Sequence, residues 1–127
     1  MQAVSELLVV DLEMFPISPT NHPSTLSLNI RRFGCMTLTN LTFGDVTNKA
    51  LLCSMPQTLK AVVQLLGFLE NEDCVQAAGS VLRNLSWSAD QPSKLALREA
   101  GAVKQLVKSV MGVQREATRT VCVLKYT

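Results

Sequence analysis

Two asparagines interrupt apolar runs at equal phase. MTLTNLTF spans residues 36–43 and SVLRNLSW spans residues 80–87, which sets Asn40 and Asn84 one period of 44 residues apart. A carboxamide carries both donors and an acceptor, so it can pair with the N–H and C=O of an extended peptide whatever that peptide's side chains. On a helix, Ser80, Arg83, Asn84 and Trp87 fall at i, i+3, i+4 and i+7 and share a face, with Val81, Leu82 and Leu85 pointing the other way. Met36, Thr39, Asn40 and Phe43 share the matching face of the earlier copy. Each stripe thus joins an amide to an aromatic one turn on. The aromatics offer apolar slots, and Arg83 can fork onto a carboxylate. Two roles are open for the amides: holding a ligand backbone, or tying neighbouring helical units together by side-chain to backbone bonds.

Other chemistries find less support. Cys35, Cys53, Cys74 and Cys122 form no C-x-x-C pair and the chain has one histidine, so a zinc site is not expected. The thiols sit among apolar residues and read as small buried side chains in a reducing compartment. His22 could serve a thiol or hydroxyl as a base, but it lies in a proline-rich stretch with no carboxylate placed to orient it. Asn40-Leu-Thr42 and Asn84-Leu-Ser86 match the N-glycosylation pattern, yet both fall inside expected helices. With no glycine-rich phosphate loop or metal-ligand cluster, neither an enzyme nor a cofactor is expected.

The elements that must position these stripes follow from the pattern. The chain has 127 residues, 47% hydrophobic and 17% charged, enough for one domain with a real core. A net charge of +2 is too weak to argue for nucleic acid or an anionic membrane. No apolar run is long enough to span a bilayer. The opening MQAVSELLVVDLE carries Glu6, Asp11 and Glu13 and does not read as a secretion signal.

The echo between copies extends past the asparagines. DVTNKALLCSM (45–55) parallels DQPSKLALREA (90–100), and AVVQLL (61–66) parallels AVSELL (3–8) and more loosely QLVKSV (105–110). A unit of this length with two or three helices is what armadillo and HEAT solenoids use. Each unit reads as three helices: a short one over 46–53 and 93–100, a second over 58–69 and 102–111, and a third over 28–43 and 73–87. Leu59, Val62, Val63 and Leu66, and again Val103, Leu106, Val107 and Val110, follow the spacing of a buried stripe. Val75, Ala78, Leu82 and Leu85 form the core stripe of the later third helix. Pro16, Pro19 and Pro23 break residues 14–27 into a loop, read as a tolerated surface insertion. The organisation expected is all-α: a partial repeat over 1–13, the loop over 14–27, a groove helix over 28–43, a full repeat over 45–87 and an incomplete repeat over 90–127. Apolar faces at both ends suggest a piece of a longer array.

RRFGCMTLTNLTFGDVTNKALLCSM (31–55) and AAGSVLRNLSWSADQPSKLALREAGAVKQL (77–106) resemble the armadillo repeats of the adenomatous polyposis coli protein family. The likeness runs from about MQAVSELL to Glu116, and the tail after Ala117 departs from it. The resemblance implies a right-handed armadillo-type α-solenoid fragment of three-helix repeats, part of a cytoplasmic scaffold. It implies a groove that binds extended peptides of cytoskeletal and Rho-regulatory proteins, with Asn40, Phe43, Lys49, Arg83, Asn84 and Trp87 at groove positions. The family's role is negative regulation of Wnt signalling through β-catenin destruction, and regulation of microtubules, adhesion and cell migration. Its segments for β-catenin and microtubules lie outside the armadillo region. Importin-type arrays carry tryptophan four residues before the groove asparagine, where this chain has Met36 and Ser80, so basic nuclear-import signals are not the expected ligand. Arg83 and Lys49 point to an acidic or mixed peptide. The alternative is a structural spacer or a truncated, non-functional isoform.

Overall fold

The computed structural model describes residues 1–117 apart from Asn21, with side chains placed as far as Met111. Seven helices and no strand occur among the described residues. They are α1 (Gln2–Met14), α2 (Thr25–Thr42), α3 (Val46–Cys53), α4 (Pro56–Leu66), α5 (Glu72–Ser86), α6 (Gln91–Glu99) and α7 (Ala102–Ala117).

Local chemistry sets most helix starts. The side chains of Ser24, Asp45, Asn71 and Asp90 accept from the N–H three residues on, at 3.1, 2.9, 3.0 and 2.8 Å. Each satisfies a donor that the first helical turn leaves open. Proline opens α4 at Pro56, where its missing N–H costs nothing. The Ser24 cap corrects the expected loop over 14–27. Met14 still belongs to α1 and α2 starts at Thr25, so the irregular segment is shorter. The helix expected over 28–43 therefore runs from 25 to 42, and Phe43 is its C-cap.

Helices three apart in the chain pack on one another: α1 on α4, α4 on α7, α2 on α5 and α3 on α6. Leu8, Leu38, Leu52, Leu59, Val62 and Leu65 are sealed at the centre, each burial stabilising by about 2 kcal/mol. Ala78 lets α5 lie close to its neighbours. A polar stitch adds to this packing. Ser109 Oγ donates to Leu66 O at 2.8 Å, tying α7 to α4.

The apolar stripe expected on α7 is not buried. Val103, Leu106, Val107 and Val110 are 62, 42, 54 and 60% exposed. The equivalent stripe on α4 is sealed because α1 and α5 flank it, and no described element covers α7 in the same way. Val75, expected in the α5 stripe, is half-buried.

One ion pair anchors the proline-rich excursion. Arg31 is 1% exposed, and its Nε lies 2.7 Å from Asp11 Oδ2, which also accepts from Ser27 Oγ at 2.8 Å. The guanidinium donates in addition to Phe15 O and sits 5.5 Å from the centre of the Phe68 ring. The buried charge is thus paired and hydrogen-bonded, which is what such a charge needs.

Helices α2 and α5 end by the same backbone route. Phe43 and Trp87 have φ, ψ of −65, 116 and −67, 118, and the next residues, Gly44 and Ser88, both take positive φ, 67 and 51. Glycine accepts that conformation freely and serine does not.

Three outcomes are expected in urea denaturation. Asp11→Ala strands the Arg31 charge and lowers stability by about 3–5 kcal/mol; a loss under 1 kcal/mol would show that the pair carries no weight. Ser88→Gly relieves the left-handed corner and raises stability by about 1 kcal/mol, whereas Gly44→Ala does the opposite.

Candidate functional site

The expected site residues lie on α2, α3 and α5 and on the corners that follow α2 and α5. Phe43 and Trp87 are 78% and 73% exposed, an unusual state for large aromatics. They occupy the same C-cap position on two helices that pack side by side. Asn40 and Arg83 are exposed on α2 and α5, and Lys49 is half-buried on α3.

Asn84 differs. It is 8% exposed, and its Nδ2 donates to Thr39 O at 2.9 Å, joining α5 to α2. Its expected place opposite Val81 is thus corrected. At 100° per residue Asn84 lies about 60° from Val81, at the edge of the buried arc. Asn40 makes no counterpart bond among the described residues, because no described helix stands before α2 in the same relation. The two amides therefore occupy different environments despite equal phase.

Thr39 Oγ1 turns back to Cys35 O at 2.9 Å and Thr42 Oγ1 to Leu38 O at 2.8 Å, so these two hydroxyls are spent within their own helix. At the corner Asn48 Nδ2 donates to Leu41 O at 2.8 Å, fixing α3 to the end of α2. Arg83 also borders a cavity of about 460 Å³ together with Lys94 and Arg98 of α6. Sequence reasoning missed these two cations as site residues. The pairing of Lys49 with Lys94 between copies was the available signal.

The thiols are poor nucleophiles. Burial, with Cys74 nearby, pushes the Cys35 thiol up to about 12. Burial also raises Cys53 and Cys74, partly offset by the Ser93 hydrogen bond and by the Arg31 charge respectively. Cys122 lies outside the described residues. His22 is exposed beside a cavity lined by Phe15, Ile17, Arg31 and Phe68, with no cysteine among the described lining residues. Among the described residues no group of three or more His, Cys, Asp or Glu could hold a metal ion, and no helix is long and apolar enough to cross a membrane.

The residues that build this site belong to a sequence with a clear set of relatives. The chain is 49% identical over 118 residues to the human adenomatous polyposis coli protein, a match covering 93% of the chain. This chain is a homologue of the adenomatous polyposis coli proteins. It is 50% identical over the same length to human adenomatous polyposis coli protein 2. It is 34% identical over 97 residues, 76% of the chain, to adenomatous polyposis coli protein-related protein 1 of Caenorhabditis elegans. The match spans 4%, 5% and 8% of these three relatives, so the chain corresponds to a small part of each. No protein-family model matches the chain.

The unequal environments of the two amides set up a direct comparison. Asn84→Ala removes a buried bond to Thr39 O, which keeps Thr42 Oγ1 as a donor, and costs about 1–2 kcal/mol in urea denaturation. Asn40→Ala, at an exposed position, is expected to change stability by less than about 0.5 kcal/mol. Equal effects would contradict the environments described.

Proposed function

We propose that this chain is a peptide-binding portion of an adenomatous polyposis coli-like scaffold. Its helices stack as an armadillo-type right-handed solenoid of three-helix repeats, with the units divided as the sequence divides them. The ridge of Asn40, Phe43, Arg83 and Trp87, with Lys49 beside it, receives an extended acidic or mixed peptide. The observation that carries this reading is the pair of exposed aromatics at equivalent corners of adjoining helices.

Packed helices stand about 8–10 Å apart, and an extended chain advances at most about 3.3–3.6 Å per residue. Consecutive aromatics would thus meet roughly every third residue of a ligand lying across the helices. Arg83 supplies a planar fork for a ligand carboxylate. Asn40 can pair with the ligand backbone, while Asn84 holds the two helices in register. A role for Asn84 purely as a stitch is the second reading, favoured by its bond to Thr39 O.

By homology the setting is a cytoplasmic, non-enzymatic scaffold with cytoskeletal or cell-cortex association. It acts in negative regulation of Wnt signalling through β-catenin destruction, and in microtubule organisation, adhesion and cell migration. The partners assigned to this portion are extended segments of cytoskeletal and Rho-regulatory proteins. β-catenin and microtubule binding belong to other regions of such scaffolds.

Calorimetric titration with an extended, proline-containing acidic peptide tests the reading. Arg83→Glu and Trp87→Ala are expected to weaken binding by about tenfold or more without moving the melting temperature, since both side chains are exposed. Equal affinity of both variants and the unaltered chain would favour the spacer.

A further inference from the structure

Ser18 is the one serine or threonine of the chain that is directly followed by proline, and a second proline stands two positions before it. The tetrad Pro16-Ile17-Ser18-Pro19 falls in the excursion between α1 and α2, outside every helix. A proline after an acceptor serine has no N–H. It can enter an apolar slot of a kinase without leaving a donor unpaired, where any other residue would strand one. It also biases the serine itself toward an extended backbone. The proline two positions before the serine fixes φ and stiffens the approach. Prolines at these two positions are what a proline-directed kinase reads, and the residue between the first proline and the serine goes unread.

The structure sorts the tetrad in the same way. Pro16 and Pro19 are exposed, whereas Ile17 is half-buried and packs against the core. In an extended chain with three residues per turn, residues three apart share an edge. The two prolines therefore share the outer edge, and the residue that holds the excursion to the core is the one that recognition does not need. Ser18 is half-buried, but its bonds are local. Its Oγ accepts from Thr20 N at 3.2 Å and lies 3.0 Å from Thr20 Oγ1, both at the surface. By contrast, Ser27, Thr42 and Ser109 are buried and bonded inside the packed layers. The excursion is tied at Phe15 O and at the Ser24 hydroxyl, so the tetrad lies between fixed points.

We propose that Ser18 is a phosphorylation site for a proline-directed serine kinase. In the transfer, Ser18 Oγ attacks the γ-phosphorus of a nucleoside triphosphate held by the kinase. The new Oγ–P bond forms as the bond from that phosphorus to the β-phosphate oxygen breaks. The hydroxyl proton passes to the kinase's catalytic aspartate, and the nucleoside diphosphate leaves. The phosphoserine brings about −1.5 to −2 charges at neutral pH, comparable in size to the chain's net charge of +2. Its phosphoryl oxygens can accept from both the N–H and the hydroxyl of Thr20. The modification thus alters the surface of the excursion while the helices stay packed.

The test incubates the full chain, below its melting midpoint, with magnesium ATP and an active mitogen-activated protein kinase. Intact-mass spectrometry is expected to show one added phosphate, and fragment spectra to place it on Ser18. Ser18→Ala is expected to take none, and Thr20→Ala to label as the unaltered chain does. Pro19→Ala is expected to slow labelling by at least about tenfold. A synthetic peptide of residues 14–24 sets the rate for a fully open site, and the folded chain is expected to come within about tenfold of it. Circular dichroism after labelling is expected to match that of the unlabelled chain. No labelling of the unaltered chain would overturn the proposal, as would phosphate on another residue. Equal rates for Pro19→Ala and the unaltered chain would overturn it as well. A folded chain slower than the peptide by more than that margin would show a closed site and overturn it too.

Discussion

Helix α5 is apolar over more of its circumference than one neighbour can cover, and that constraint arranges the rest of the structure. Cys74, Ala77, Ala78, Val81, Leu82 and Leu85 are all withdrawn from water, with Asn84 at the boundary. A helix buried over such an arc needs packing on two flanks. Here α2 supplies one flank and α4 the other, and α3 closes the corner between them. Small residues at 77 and 78 bring the backbones near, and Asn84 converts the approach into a bond at Thr39 O. Hydrophobic burial drives the docking, while the amide bond fixes register, because an apolar interface alone tolerates sliding.

Much of this was legible in the residues. The helix order, the short first helix of each unit and the stripe on α4 follow from spacing, and Asp45 and Asp90 announce the starts of α3 and α6 by local chemistry. Ser24 carries the same signal, but the three prolines before it mask the start of α2, which the pattern puts at residue 28 and the structure at Thr25. The burial of Asn84 was misplaced because a two-faced helical wheel has no category for a border residue. Its partner is a backbone carbonyl, which no side-chain pattern encodes. The exposure of α7 escaped for a different reason. Periodicity tells which residues would be covered if a neighbour is present; it does not supply the neighbour.

The two units also show how one architecture accommodates different chemistry. Positions facing an occupied seat are thiol, hydroxyl or hydrocarbon, as with Cys35, Thr42 and Leu38. Positions lining the cavity between α5, α6 and α7 include Gly79, Arg83 and Arg98. A buried guanidinium without a partner would cost far more than a buried hydroxyl. Arg31 demonstrates the exception, since it is sealed only with Asp11, Phe15 O and the Phe68 ring around it.

The Arg31 and Ser24 bonds pin the two ends of the proline-rich excursion, within which Ile17 still packs against the core. On one side the guanidinium holds the Phe15 carbonyl, and on the other the Ser24 hydroxyl closes the first turn of α2. Length added beyond Ile17 falls between those two fixed posts. A fluorophore or affinity handle introduced between Ser18 and His22 would therefore report on the molecule without prising its helices apart.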